Sequence, residues 1–222
     1  AHDGWDIAED LPALGTELAV DRSRTIIARN ASPDIPFDRS INPYRGCEHG
    51  CIYCYARPSH AQLGLSPGLD FETRITVKPR AAELLEAALR KPGYEVRPIA
   101  IGTNTDPYQP VERTQRIMRR LLEVLQDFRH PVCITTKGTL LTRDLDILGP
   151  MGRAGLAHVS VSMTTLDNRL SRRMEPRAAA PERRLRMIRA LAQAGVPVQV
   201  NTSPLVPAIN DHEIERLIAA AA

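Results

Sequence analysis

Three closely spaced cysteines are the residues of this chain best suited to do chemistry. Cys47, Cys51 and Cys54 fall within eight residues in a CxxxCxxC spacing, so one short loop could direct three thiolates at a single metal centre. An iron-sulfur cube held by only three thiolates keeps one iron free of protein ligands. The spacing therefore predicts a [4Fe-4S] cluster with one iron open to an external ligand.

A zinc site is the main alternative for the same cysteines. Structural zinc normally takes four protein ligands, often in CxxC pairs, and the candidates for a fourth ligand are His49 and His60, neither at the usual spacing. Cys133 lies in a predicted buried strand, where a lone cysteine is usually a small apolar residue. A non-enzymatic zinc-binding or nucleic-acid-binding module is therefore the second hypothesis, and the cluster is favoured.

The elements that must position this loop follow a repeated βα pattern from residue 40 onward. Short apolar runs alternate with longer segments of helical spacing. The predicted strands are 40–44, 98–102, 132–136, 157–163 and 196–201, and the predicted helices are 79–90, 112–128, 143–151, 181–194 and one from about 211. Because parallel strands need right-handed crossovers, we expect an α/β fold, a partial (β/α) TIM-like barrel of parallel strands truncated before a sixth strand.

Polar residues follow or end four of these predicted strands. They are 103–106, 135–137, Ser160 with Ser162, and 201–203. In a partial barrel and in an open doubly wound sheet alike, the carboxyl ends of the strands form the ligand-binding edge. We therefore expect these side chains and the cysteine loop to surround one site.

The chain is expected to divide into an N-terminal extension, 1–38, and a core domain, 39–222. The extension is rich in Pro, Asp, Gly and Ser and has only a short β-like run at 24–28. We expect this extension, which includes Trp5, to wrap on the domain. The chain begins without Met and ends within a predicted helix, so we expect a fragment of a longer protein or a site completed by a neighbouring chain.

The composition indicates the size of the core and the cellular compartment in which the protein is expected. A chain of 222 residues that is 43% hydrophobic can bury one large core. It has no apolar run long enough to span a membrane and no basic-then-apolar leader. Clustered cysteines fit a metal site in a reducing compartment better than disulfides, so we expect a cytoplasmic protein with no membrane association.

The residues around the cysteines resemble a known enzyme family. Asn42-Pro43-Tyr44-Arg45-Gly46-Cys47, the sequence Cys54-Tyr55-Ala56-Arg57, the aromatic Tyr53 and the βα succession resemble the radical S-adenosylmethionine (SAM) superfamily. The resemblance covers about residues 40–215 and is closest to an uncharacterised bacterial branch related to spore photoproduct lyase. It implies reductive cleavage of S-adenosyl-L-methionine to a 5'-deoxyadenosyl radical, which abstracts hydrogen from a substrate. It also implies an electron donor such as flavodoxin or ferredoxin.

The same resemblance implies roles for six residues. Thr105 and Asp106 would contact the methionyl end of S-adenosylmethionine, and Lys137 would pair with its carboxylate. Ser160 matches the serine of the fourth strand, and Ser203 matches the small residue near the ribose and adenine. Tyr53 would pack at the cofactors. Plainer interpretations exist for three of them: Lys137 as a solvated loop residue, Ser160 as a serine bonded to the backbone, and Asp106 as part of an ordinary turn.

One departure from the lyases concerns the substrate. As the alignment is read, they carry a hydrogen-donating cysteine where this chain has Thr103, and a hydroxyl is a much poorer hydrogen-atom donor, so thymine-dimer reversal by that route is not expected. The substrate and catalytic residues stay unassigned. A nucleic acid is one candidate, with phosphate contacts from the arginine-rich stretch 169–189, which could equally be a solvated helix face. The arginines considered are Arg172, Arg173, Arg183 and Arg184.

Overall fold

A computed structural model describes residues 15–222. The strands are β1 (Glu17–Val20), β2 (Ala28–Arg29), β3 (Arg39–Ile41), β4 (Tyr44–Arg45), β5 (Arg74–Val77), β6 (Ile99–Ile101), β7 (Val132–Thr136), β8 (Ala157–Ser162) and β9 (Val198–Asn201). The helices are α1 (Asp70–Thr73), α2 (Ala81–Leu89), α3 (Glu112–Gln115), α4 (Ile117–Asp127), α5 (Leu145–Arg153), α6 (Asn168–Met174), α7 (Pro181–Gln193) and α8 (Ile214–Ala221). Within this range no helix is long and apolar enough to cross a membrane.

The main sheet has six strands in the order β2-β3-β6-β7-β8-β9. From β3 to β9 all neighbours are parallel, while β2 pairs antiparallel with β3 at one edge. The predicted α/β fold with a partial barrel of parallel strands is confirmed. Among the described residues the sheet stays open, with β2 and β9 as its two edges.

The core lies between this sheet and the helices that connect its strands. Strand residues that face the helices are fully buried, as at Ile101, Ile134 and Val159. Helix α4 packs its single apolar face against them, which is the pattern expected of an amphipathic crossover helix. The buried residues of α4 are Ile117, Met118, Leu121, Leu122 and Leu125.

The predicted strand 40–44 is divided between two sheets. Strand β3 ends at Ile41 in the main sheet, whereas β4 pairs with β5 in a small sheet of order β1-β5-β4. Pro43 stands at the break and has no backbone N–H to donate to a ladder. The chain therefore leaves the main sheet at Asn42 and enters the cysteine loop directly after Arg45.

The described part of the N-terminal extension is built into the domain. β1 pairs with β5 in the small sheet, β2 pairs with β3 in the main sheet, and Ile26 is only 4% exposed. The boundary between residues 38 and 39 stays a prediction. Trp5 lies outside the described residues.

Candidate functional site

A cavity of about 1200 Å³ opens at the carboxyl ends of the parallel strands. Its walls come from the cysteine loop, from the ends of β6 to β9, and from the segment 28–37 at the other edge of the sheet. Cys47, Cys51 and Cys54 all line it. The topology thus brings the predicted cysteine loop and the polar strand ends to one site, as expected for this class of sheet.

Two glycines give the cysteine loop its path. Gly46 and Gly50 have φ values of +83° and +68°, a region that favours glycine. A Cβ on Gly46 would lie 2.8 Å from Phe71 O, and one on Gly50 would lie 2.8 Å from Glu72 Oε2 and against the Arg177 guanidinium. Both positions therefore need glycine for conformation and for close packing.

Two arginines hold the backbone of the cysteine loop. Arg57 Nη2 donates to Cys51 O at 3.0 Å and to Glu72 Oε1 at 2.5 Å. Arg177 Nε donates to Glu48 O at 2.6 Å, and its Nη2 pairs with the same Glu72 carboxylate. Charged donors thus satisfy the loop carbonyls, and one shared carboxylate fixes both arginines.

A second set of contacts ties the loop to the segment after β6. Gln109 Nε2 donates to Gly46 O at 3.1 Å, and its Oε1 accepts from Glu48 N at 2.9 Å. The Glu48 carboxylate accepts from Val111 N at 2.6 Å. The cysteine loop is therefore fixed relative to the edge of the sheet where the cavity lies.

The donor set around the cavity fits a cluster with an open position. Within residues 15–222 no group of three or more His, Cys, Asp or Glu side chains is arranged to hold a single metal ion, whereas the three thiols line one cavity. Among the described residues, His49 is the only histidine that lines this cavity. His60 is fully buried elsewhere, with its Nε2 3.0 Å from Arg74 O. Three thiols facing one cavity are the donors that an iron-sulfur cube with one open iron requires.

The fourth cysteine lies on β7, away from the cavity lining. Cys133 is exposed, and the prediction that it is buried is wrong. Successive strand residues face opposite sides of a sheet, and here Val132 and Ile134 take the buried side. Cys133 therefore gives a matched control for substitutions in the cysteine loop.

Burial changes the pKa of two thiols in the cysteine loop. It raises the pKa of Cys51 to about 12, although the neighbouring Lys137 ammonium opposes the rise, and it also raises the pKa of Cys54. Lys137 Nζ lies 5.7 Å from the centre of the Tyr53 ring, and both residues line the cavity. Because metal ligands bind as thiolates, loss of these protons must be coupled to binding of a positive centre.

Asp106 joins the loops that follow β6 and β7. Its Oδ1 accepts from Thr136 Oγ1 at 2.6 Å and Tyr108 N at 2.9 Å, and its Oδ2 accepts from Lys137 N at 2.6 Å. His49 Nδ1 lies 3.4 Å from Oδ2, too poorly directed for a hydrogen bond. Burial acts to raise the pKa of Asp106, but His49 and these hydrogen bonds hold it well below its ordinary value.

Tyr53 is positioned by a buried ion pair. Its hydroxyl donates to Glu175, whose other carboxylate oxygen pairs with Arg184. Burial acts to raise the pKa of Glu175, but Arg184, Lys137 and the Tyr53 hydroxyl together bring the pKa below its ordinary value. Arg184 also donates to Ser162 O at 2.9 Å and is 1% exposed. Its predicted role as a phosphate contact is therefore wrong.

Of the three remaining predicted site residues, Thr105 and Ser203 line the cavity and Ser160 does not. Thr105 lines the cavity and donates to Tyr44 O at 2.9 Å, and Ser203 lines it with an exposed side chain. Ser160 does not belong to the lining. Ser162, two residues nearer the carboxyl end on the same face of β8, takes that place.

Sequence reasoning missed the residues that hold the loop. Arg177, Glu72 and Gln109 are distant from the cysteines in sequence and carry no motif. Glu48, which lies between Cys47 and Cys51, was the one residue whose position in the motif could have indicated a role in holding the loop.

Comparison with known proteins gives a family match over most of the chain. Residues 41–221 match the sequence profile of the Radical SAM superfamily. That range includes the cysteine loop, β4 to β9 and all eight helices.

Curated relatives extend this match. An uncharacterized protein of Mycobacterium tuberculosis is 39% identical over 177 residues, covering 80% of this chain and 52% of the relative. A probable GTP 3',8-cyclase of Methanopyrus kandleri is 27% identical over 161 residues, covering 70% of this chain and 43% of the relative. The chain thus spans about half the length of the curated relatives it matches.

Solved structures share the fold. Spore photoproduct lyase complexed with dinucleoside spore photoproduct matches with a TM-score of 0.67 at 16% identity, covering 92% of this chain and 56% of that chain. A doubly substituted variant of spore photoproduct lyase, with bound AdoMet and dinucleoside spore photoproduct, matches with a TM-score of 0.62 at 16% identity, covering 84% and 50%. At this level of identity the likeness establishes the architecture alone.

Proposed function

The chain belongs to the radical SAM superfamily, and on that premise we propose that Cys47, Cys51 and Cys54 hold a [4Fe-4S] cluster used to cleave S-adenosyl-L-methionine. A cluster held there would offer an iron without a protein ligand to the methionyl group and would supply the electron for cleavage of the sulfonium to methionine and a 5'-deoxyadenosyl radical. The observation that carries the proposal is that three thiols line one cavity while Cys133 lies apart from it.

The chain's own residues bind and orient the methionyl group. Lys137 is the one ammonium group in the cavity lining within residues 15–222, so it is assigned to the methionyl carboxylate. Asp106 already accepts hydrogen bonds from Thr136 and from the backbone of Lys137. It therefore acts mainly by positioning Lys137. Thr105 likewise fixes the backbone at Tyr44, because its hydroxyl donates to the Tyr44 carbonyl oxygen.

The ribose and adenine are assigned to the β8–β9 side of the cavity. Ser162 and Ser203 provide hydroxyls there, and Asn201 provides an amide. These groups can bond a nucleoside without a charged side chain. Ser160 lies outside the lining and is left as a strand residue.

The substrate proposed is a nucleic acid with one base inside the cavity. Support comes from two uncharged hydrogen-bonding residues of the lining, Asn104 and Thr202, and from the exposed ring of Tyr55, on which a base could stack. Thr103 takes the place where the related lyases have a thiol, so hydrogen return by a cysteine at that position is excluded from the proposal. The reductant proposed is a flavodoxin or a ferredoxin.

The direct test is product formation under anaerobic conditions. Reconstituted protein, reduced with dithionite and given S-adenosylmethionine, is expected to release 5'-deoxyadenosine, measured by liquid chromatography. Cys51→Ala should reduce the yield to background, whereas Cys133→Ala should retain it. A colourless protein that binds one zinc and forms no 5'-deoxyadenosine would contradict the proposal and support a zinc-binding module.

A further inference from the structure

A hairpin loop at the β2 edge of the main sheet forms one wall of the cavity. β2 and β3 pair antiparallel, and residues 30–38, which we call the hairpin loop, connect them. Its Asn30, Ile35 and Phe37 line the cavity. The hairpin loop ends before residue 41, where the match to the superfamily begins. Chemistry common to the superfamily is therefore expected from the other walls, and this wall is free to serve the substrate.

Phe37 is the phenylalanine that the fold leaves facing the cavity. Of the three in the chain, Phe71 is buried in a small cluster at the cysteine loop and Phe128 packs against the main core, whereas Phe37 belongs to neither cluster. Phe37 is half-buried, and Ile35 on the same loop is 40% exposed. Apolar and aromatic side chains that line a cavity in this way are typical of ligand contacts.

Hydrogen bonds fix the shape of the hairpin loop. Asn30 Nδ2 donates to Phe37 O at 3.2 Å, and Asn30 N donates to Asp38 O at 2.8 Å. Asn30 Oδ1 accepts from Ser32 N at 2.9 Å. The loop also contains two prolines, whose rings fix φ. Its apolar side chains are therefore held in place before a ligand binds, which lowers the entropy cost of binding.

The hairpin loop lies on the side of the cavity that is left for the substrate. Lys137 follows β7, and Ser203 follows β9 at the opposite edge of the sheet from β2, so S-adenosylmethionine is assigned to that half. At the ends of β3 and β6, Asn42 Nδ2 donates to Thr103 Oγ1 at 3.1 Å, and the Tyr55 hydroxyl donates to Thr103 O. The exposed ring of Tyr55 is thus fixed beside the strand pair that carries the hairpin loop.

The charges of the hairpin loop indicate which part of a nucleotide it contacts. The loop contains Asp34 and Asp38 and no cationic residue, so it has no group to pair with a phosphate. Neither aspartate lines the cavity, and Asp38 is paired with Arg39 at 2.7 Å. The surface offered to a ligand is therefore apolar, which suits the flat face of a base.

We propose that the hairpin loop selects the substrate, with Phe37 and Ile35 forming the apolar contact for the base that enters the cavity. The inference rests on the proposed function, because it takes the substrate to be a nucleic acid. A nucleobase has flat faces that stack on aromatic rings and a polar edge that forms hydrogen bonds. Phe37 and Tyr55 provide the rings, and Asn104 in the lining provides an amide for the edge.

The test separates contacts to the base from contacts to the backbone. The probe is a short, fluorescently labelled single strand of mixed sequence, as DNA and as RNA, and its matched partner is the same sugar-phosphate strand without bases. Binding to the cluster-loaded protein with S-adenosylmethionine is measured by fluorescence anisotropy under anaerobic conditions. Phe37→Ala and Ile35→Ala alter the hairpin loop. Ile218→Ala is the control, because Ile218 is 62% exposed on α8 and lies outside the cavity lining.

Phe37→Ala should bind the base-containing strand about tenfold less tightly, because one stacking contact is lost, and should bind the abasic strand as the wild type does. The tenfold ratio should persist as salt is raised, since the lost contact carries no charge. Ile35→Ala should show a smaller loss of the same kind, and Ile218→Ala should bind both strands normally. If the alanine variant fails to fold, Phe37→Leu repeats the test with an apolar side chain that lacks a ring.

An equal loss for both strands in Phe37→Ala would overturn the base contact, since the ring would then only support the loop. Undiminished binding of the base-containing strand by both hairpin variants would also overturn it, as would wild-type protein that binds neither strand or binds both equally. If 5'-deoxyadenosine forms but the strands are not distinguished, the proposed cleavage stands and the hairpin loop loses its assigned role. If no 5'-deoxyadenosine forms, the cleavage fails, and the comparison of strands still decides on the hairpin loop.

Discussion

At the scale of single residues, the cysteine loop needs glycine at position 50 for two reasons: the left-handed backbone conformation and the lack of room for a Cβ atom. Gly50→Ala should lower the free energy of unfolding by about 1–2 kcal/mol because alanine is strained in the left-handed region. It should also lower the iron content after reconstitution, since the new Cβ would displace the Glu72–Arg177 pair that holds the loop. Chemical denaturation and iron analysis measure the two effects.

Gly64 provides the control for this substitution. It has a similar φ, +71°, and a Cβ there would meet nothing within 4 Å. Gly64→Ala should therefore show the same strain with unchanged iron content. Equal iron loss in both variants would mean that packing against Arg177 is not what shapes the loop.

The arginine-rich stretch contains two neighbours with opposite surroundings. Arg184 is buried in its pair with Glu175, whereas Arg183 is exposed. Arg184→Met should cost about 3–5 kcal/mol of stability because it leaves a buried carboxylate unpaired. Arg183→Met should change stability by less than about 0.5 kcal/mol. Stability is measured by thermal and denaturant unfolding. If both variants lost a similar amount of stability, the assignment of Arg184 as the buried partner would be contradicted.

Motif spacing and strand ends could predict that the three cysteines, Lys137 and Asp106 line one cavity, while their roles there stay predictions. The sequence could not separate Ser160 from Ser162, since both point to the same face of β8 and only the depth of the cavity distinguishes them. It also could not separate Arg183 from Arg184. That distinction depends on Glu175, which the fold brings beneath α7.

At the scale of elements, the main surprise is the break between α3 and α4. The predicted helix 112–128 is interrupted at Arg116, which has φ of +50°, and the buried Glu112 carboxylate accepts from Ile117 N and Met118 N. Apolar periodicity predicts the helix and carries no signal for such a cap. The division of the strand 40–44, by contrast, could have been predicted from Pro43.

Because of this break, glycine substitutions at Arg116 and Arg120 are expected to change the stability of the protein in opposite directions. Arg116→Gly should stabilise the protein by up to about 1 kcal/mol because glycine tolerates the left-handed conformation. Arg120→Gly, in the interior of α4, should destabilise it by about 1 kcal/mol. Denaturant unfolding of both variants is the measurement. Destabilisation by Arg116→Gly comparable to that of Arg120→Gly would argue for a continuous helix.

At the scale of the whole molecule, the described N-terminal segment belongs to the core and to the cavity wall. Ile26 is buried within the main core, and Asn30, Ile35 and Phe37 line the cavity. The sequence predicted an extension because this segment shows little periodicity and contains Pro, Asp, Gly and Ser between its apolar residues. It could not predict the pairing of β1 and β2, which depends on distant partner strands.

Ile26→Ala should therefore cost about 2–5 kcal/mol, as expected for a large-to-small change in a core. Val20, on the exposed strand β1 and 64% exposed, gives the control. Val20→Ala should change stability by less than about 0.5 kcal/mol. An equally small effect at both positions would indicate that the segment before residue 39 packs loosely on a separate domain.

The proposed cluster with one iron open to S-adenosylmethionine is tested most directly by electron paramagnetic resonance of the reduced, reconstituted protein. Spectra are recorded before and after saturation with S-adenosylmethionine. We predict that the cofactor shifts the g values, because its methionyl group takes the iron that Cys47, Cys51 and Cys54 leave open. A fully loaded cluster whose spectrum does not change on addition of S-adenosylmethionine would contradict the account.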